Sequence, residues 1–313
     1  MSDLQALRES LSGLLKARGG FTGFPELELA PVSTLRAKDG QYMTRDTPIR
    51  YDARKGLVGA SPFGGTRGTF SMVYRRVNVN TDHYASDLAL INDEELAQFE
   101  AGAAGIDVLG DHVDQVRESW CAEFASKLQT AVAALTAAPT ATLALTTAST
   151  AIAKPVREAA MQVHKNTGAR VNKFAIGPDA AHLLATVNTE IRQQIGNAST
   201  GGATAGYVDY DGLKQWFKRA CGVDLLILDR PITNTSGSAA YQWTTTGVLL
   251  VAESGAKPSC FKTFSPDAEL HKLVTDRVPQ VMGGPGTSLG AVGSYKLATV
   301  DSDLGLKFTL TIA

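Results

Sequence analysis

Leu109, Val113, Val116, Trp120, Phe124, Leu128 and Val132 follow one another at intervals of 4, 3, 4, 4, 4 and 4. That spacing keeps one apolar stripe on one side of a helix of about seven turns, at about 3.6 residues per turn. Asp107, Asp111 and Asp114 gather near its start and Lys127 near its end, the arrangement a helix dipole favours. Glu123 and Lys127 are an i,i+4 pair of the favourable order. A second apolar helix pattern stands at the N-terminus, where Leu4, Leu7, Leu11, Leu14 and Leu15 follow the capping box Ser2–Gln5 and stop at Gly19–Gly20. A leucine-faced helix this short must dock elsewhere to persist.

Between these helices the period falls from helical to two. After an irregular stretch carrying Pro25 and Pro31, Tyr42, Ile49 and Tyr51 read as one strand and Phe70, Met72 and Tyr74 as its return. The turning region holds Gly56, Gly59, Pro62, Gly64, Gly65 and Gly68, a composition for an adaptable tip rather than a tight turn. Asn92, with Glu95 three positions on, is expected to cap a short helix ahead of the long one.

Residues 137–150 are Ala/Thr-rich without a period and read as a connector. Pro155, Val156, Ala160 and Val163 then mark a helix closed by Gly168. A short strand at Phe174–Ile176 and a helix from Pro178 follow. Residues 197–206 read as a loop, and a helix through Leu213, Trp216 and Phe217 ends at Gly222. Buried-type strands are expected at Leu225–Leu228 and Val248–Ala252, with a turn at 234–239 between them. The end of the chain is β: Phe261–Phe264, Leu270–Thr275, and a closing hairpin of Tyr295–Val300 with Leu304–Ile312. Helices and strands mix without regular alternation, which predicts an α+β fold.

Charge changes this picture more than composition does. The 313 residues carry a net charge of −1, and 19% are charged against the usual ~25%. The charges are segregated, however. Arg36–Arg76 holds nine Lys/Arg and three Asp, while Asn92–Glu123 holds nine Asp/Glu and one Arg, or +6 facing −8. The basic run Arg45, Arg50, Arg54, Lys55, Arg67, Arg75 and Arg76 admits three roles: a nucleic-acid patch, a solvated face, or a contact with an acidic protein surface. The slight overall negative charge and the acidic helix carrying Asp107, Asp111, Asp114 and Glu118 favour the last. A long hairpin needs a surface to lie on, and the helix that directly follows it is awkward to reach within one chain. The same helix of a neighbouring copy is the natural partner, so the pattern predicts self-assembly.

Motifs for chemistry are missing. There is no GxxxxGK[ST], and Gly201–Gly202 and Gly283–Gly286 lack the lysine and context of a phosphate loop and read as mobile loops. His83, His112, His164, His182 and His271 show neither HxxxH nor HExxH spacing, and the one GxSxG string, Gly286–Gly290, lies in the β-rich end of the chain with no helix pattern after it, so it is not the strand-to-helix turn of a nucleophile elbow. Catalytic, cofactor and metal sites are therefore not expected, and a soluble α+β enzyme would need a convergent polar site that no motif supplies. Cys121, Cys221 and Cys260 form no CxxC and suit a reducing compartment, with Cys121 and Cys221 at core-type positions. No apolar run is long enough to cross a bilayer. Met1 opens the chain without a secretion-signal layout, and no removed propeptide is expected.

Taken in order, these segments resemble the tailed-phage major capsid proteins with the Hong Kong 97-type fold. The likeness rests on Gly40–Tyr42 at the hairpin entry, Tyr84–Ala85 through Ile91–Glu94 at its exit, Gly168–Pro178, Cys221–Val223 with Leu225–Leu228 and Asn234–Thr235, and Asp303–Gly305. The resemblance implies five regions: an N-terminal helix and arm (1–39), an extended loop (40–85), a peripheral domain with the spine helix (86–136), an axial domain (137–254) and peripheral return strands (255–313). It implies a shell of hexamers and pentamers in which each extended loop crosses the next subunit's peripheral domain. Double-stranded DNA would be enclosed without sequence-specific binding. No membrane is involved, and assembly takes place in the host cytoplasm to give the virion. Without a long scaffolding extension, a separate scaffolding protein is left room for, as are portal and decoration proteins. Lys38 and Lys55 carry no feature marking a covalent cross-link to a neighbouring subunit. An encapsulin-like nanocompartment shares the fold and stays open as the alternative.

Exposed ion pairs contribute only ~0–1 kcal/mol each, but a shell repeats them at every interface. Reversing Arg75 and Arg76 together to Glu is therefore expected to abolish shells while circular dichroism shows a folded subunit; normal shells in electron micrographs would remove the charge contact from the account.

Overall fold

The computed structural model describes residues 24–35, 39–45, 74–86, 89–92, 108–200, 208–233, 237–255, 257–266, 270–281 and 284–312. The N-terminal leucine pattern, the hairpin tip, and the short helix expected after Asn92 lie outside them. Phe24 enters a 3-10 turn at Pro25–Glu28 and leads into β1 (Val32–Thr34). Strands β2 (Asp39–Arg45) and β3 (Tyr74–Asn80) pair antiparallel, from Asp39 opposite Asn80 to Arg45 opposite Tyr74. Then come β4 (Asp82–Ala85) and β5 (Ala89–Asn92), so Asn92 ends a strand.

The long helix α1 spans Val108–Ala133. Val113, Val116, Trp120, Phe124, Leu128 and Val132 are all buried, as the 4-3-4 spacing predicts. The helix lies against one face of a sheet centred on the longest strand. After it follow β6 (Ala137–Ala144), α2 (Ala153–Thr167), β7 (Lys173–Ile176), α3 (Pro178–Thr186), α4 (Thr189–Thr200), α5 (Tyr210–Cys221) and β8 (Asp224–Ile227). The remainder is β9 (Pro231–Thr233), β10 (Ala239–Tyr241), β11 (Thr246–Leu250), β12 (Phe261–Ser265), β13 (His271–Val281), β14 (Gly284–Thr299) and β15 (Gly305–Thr311).

Two sheets organise these strands. In the first, β14 carries β13 on one side and β4 and β5 on the other, and pairs through Lys296–Thr299 with β12, which β1 joins in parallel. In the second the order is β6-β15-β11-β7-β8. One apolar cluster runs from Phe24 and α1 through both sheets to Phe217 and Phe308.

Four expectations are corrected here. Residues 137–144 are a strand rather than a connector, with Ala138 and Leu143 buried. Pro139 hides the period, but β6 is an edge strand whose pairing with β15 is irregular between Lys307 and Thr309, where proline is tolerated. Residues 197–200 continue α4 instead of opening a loop. The expected closing hairpin does not exist: Tyr295 belongs to the first sheet, and β15 crosses to the second, between β6 and β11. Its alternation showed a strand with a buried face but could not name its neighbours. The glycine-rich run at Gly284–Gly286 starts β14 rather than forming a loop.

Local chemistry fixes the helix ends. Gly168 (φ 76°) and Gly222 (φ 73°) close α2 and α5 in the left-handed region, each donating its N–H to the carbonyl four residues back, at His164 and Lys218. Asp209 caps α5 by accepting from the Gly212 N–H at 2.7 Å. Glu190 on α4 accepts from the Ile152 N–H at 2.8 Å, tying the start of α2 to its neighbour. Gly177 is set by crowding: a Cβ there would stand 1.9 Å from the Trp243 carbonyl oxygen. One substitution therefore has two outcomes. Gly222→Ala, in open space, is expected to cost about 1 kcal/mol of conformational strain, whereas Gly177→Ala must displace backbone and cost clearly more, both read from urea midpoints.

Candidate assembly interface

The buried stripe of α1 turns its opposite side outward, and the acids stand there. Asp111, in the first turn, is exposed, Asp114 is half-buried, and Glu118 and Glu123 are exposed. Glu123 and Lys127 form the expected pair at 3.2 Å. Lys127 also sits 3.5 Å from the centre of the Tyr84 ring and donates to the Tyr295 hydroxyl at 3.4 Å. Tyr84 and Tyr295 stack at 4.5 Å between centroids, so the lysine closes over an aromatic group that Trp120 and Phe124 complete.

Glu118 has a second task within its own chain. Its carboxylate accepts from Arg230 Nη1 and, at 3.2 Å, from Arg117. Arg230, in the link from β8 to β9, also donates from Nε to Glu26 Oε1 at 3.2 Å and from Nη2 to Glu26 Oε2 at 3.4 Å. Glu26 is fully buried and Arg230 nearly so, and the guanidinium lies 5.8 Å from the centre of the Phe24 ring. Burial opposes the Arg230 charge, yet the hydrogen bonds and proximity of Glu26 outweigh it and raise its pKa. The arm, the spine helix and the link to β9 meet at this one guanidinium. Nothing local in the sequence marks it, because Glu26 and Arg230 are 204 positions apart.

Of the basic residues, Arg50, Arg54, Lys55 and Arg67 lie outside the described residues, as does Asp107. Arg45, Arg75 and Arg76 stand on the β2–β3 ribbon, which pairs with no other strand among the described residues. The register sets Arg76 opposite Met43 and Arg75 opposite Thr44. The ribbon base is anchored twice. Val79 is buried with Phe264 and Val300, against Leu35 and Ala298. Just beyond, Asp82 pairs with Lys296 at 2.8 Å and accepts from the Tyr84 hydroxyl at 3.2 Å. The Lys296 hydrogen bond holds the Asp82 pKa below its ordinary value, and the same bond raises that of Lys296.

The thiols take no part. Burial pushes the pKa of Cys121 and Cys221 up to about 12 and raises that of Cys260 further. They are therefore thiols rather than nucleophilic thiolates near neutrality. Among the described residues, no group of three or more His, Cys, Asp or Glu is placed to hold a metal, and no helix is long and apolar enough to cross a membrane.

Removing one partner of a buried pair leaves the other uncompensated. Arg230→Met is expected to cost about 3–5 kcal/mol. Adding Glu26→Leu should recover most of that, and a denaturation cycle over the single and double variants measures the coupling.

No family profile and no curated protein matches the chain. Solved structures do match over nearly its whole length. A phage-related protein from Bordetella bronchiseptica RB50 superposes with a TM-score of 0.65 at 16% identity, covering 97% of both chains. The capsid of the cyanophage P-SCSP1u gives 0.52 at 14% identity, covering 90% of this chain and 86% of that one. The SrpI encapsulin of Synechococcus elongatus PCC 7942 gives 0.50 at 10% identity, over 91% and 86%. The likeness read from the order of segments thus holds at the level of tertiary structure: this chain has the fold of the phage capsid proteins.

Proposed function

We propose that this chain is the major capsid protein of a tailed bacteriophage, assembling through hexamers and pentamers into an icosahedral shell around double-stranded DNA. The observation that carries the reading is the β2–β3 ribbon on a body of capsid fold. Two strands of seven residues pair only with each other among the described residues, and an isolated hairpin is at best marginally stable in water. Such a ribbon acquires a surface when a neighbouring copy supplies one. The exposed Asp111 at the start of α1 offers the ribbon the opposite charge. With Glu118 engaged by Arg230 and Glu123 by Lys127, the contact falls toward Asp111 and the N-terminal end of the helix.

In this reading the protein is structural rather than catalytic, and its first partner is itself. A separate scaffolding protein, a portal and decoration proteins belong to the same proposal, as do residence in the virion and assembly in the host cytoplasm. The likeness to an encapsulin supports a second reading, a nanocompartment shell that encloses protein.

Light scattering on a sizing column, with negative-stain images of the peak, tests assembly of the protein expressed alone. Megadalton shells are expected, and only a 33.1 kDa monomer, even after neighbouring phage proteins are added, would overturn the capsid reading. The contents then separate the two shells: nuclease-protected DNA in particles from infected cells is expected, and protein cargo without DNA would favour the nanocompartment.

A further inference from the structure

We draw no further inference here: the strongest candidate, the small polar cavity between α2 and the turn before β15 lined by Gln162, Asn166, Ser302 and Asp303, offers one carboxylate on an exposed rim, and nothing in the structure shows what would occupy it.

Discussion

The apolar stripe of the spine helix has to be kept from water, and most of the architecture follows from how that is done. Burying side chains such as Val113, Phe124, Leu128 and Val132 contributes about 1.5–3 kcal/mol apiece before the entropy of ordering is set against it. The first sheet covers the stripe through Tyr84 and Tyr295. The arm covers it through Phe24, edge-on to Phe124 at 5.2 Å. The link into the second sheet reaches it through Arg230 and Gln242. Three segments remote in sequence thus converge on one helix because a single face of it must be dry.

Apolar contact is not directional, and something else has to decide which segment lies where. That role falls to the ion group at Arg230. A guanidinium offers a fixed fork of donors, and Glu26 takes two of them in a place where an unmatched carboxylate is strongly disfavoured. Sliding the arm by one residue would bury a charge without its partner. The hydrophobic stripe supplies the stability, and the buried charges supply the register.

Acids that the sequence places together on one helix are separated by the fold into those engaged within the chain and one left exposed. Glu118 and Glu123 are engaged by Arg230 and Lys127, while Asp111 stays exposed in the first turn.

The spine helix, the glycine stops at Gly168 and Gly222, and the strands β7, β8 and β11 were legible in the sequence because each rests on a period or a residue type acting within a few positions. The strand at 137–144 was not, since proline and small residues conceal a period that only pairing with β15 makes meaningful. Nor was the departure of β15 from its expected hairpin, because alternation reports a buried face and is silent about the neighbour. Nothing near Arg230 in the sequence marks it, and only the fold brings Glu26 and Glu118 to it. By itself the sequence determined most of the helices and strands, their apolar faces, and that opposite charges are segregated along the chain. Only the tertiary structure decided which strands are neighbours and which acids are already paired. Those depend on contacts between residues hundreds of positions apart, where no local pattern of side chains specifies the partner.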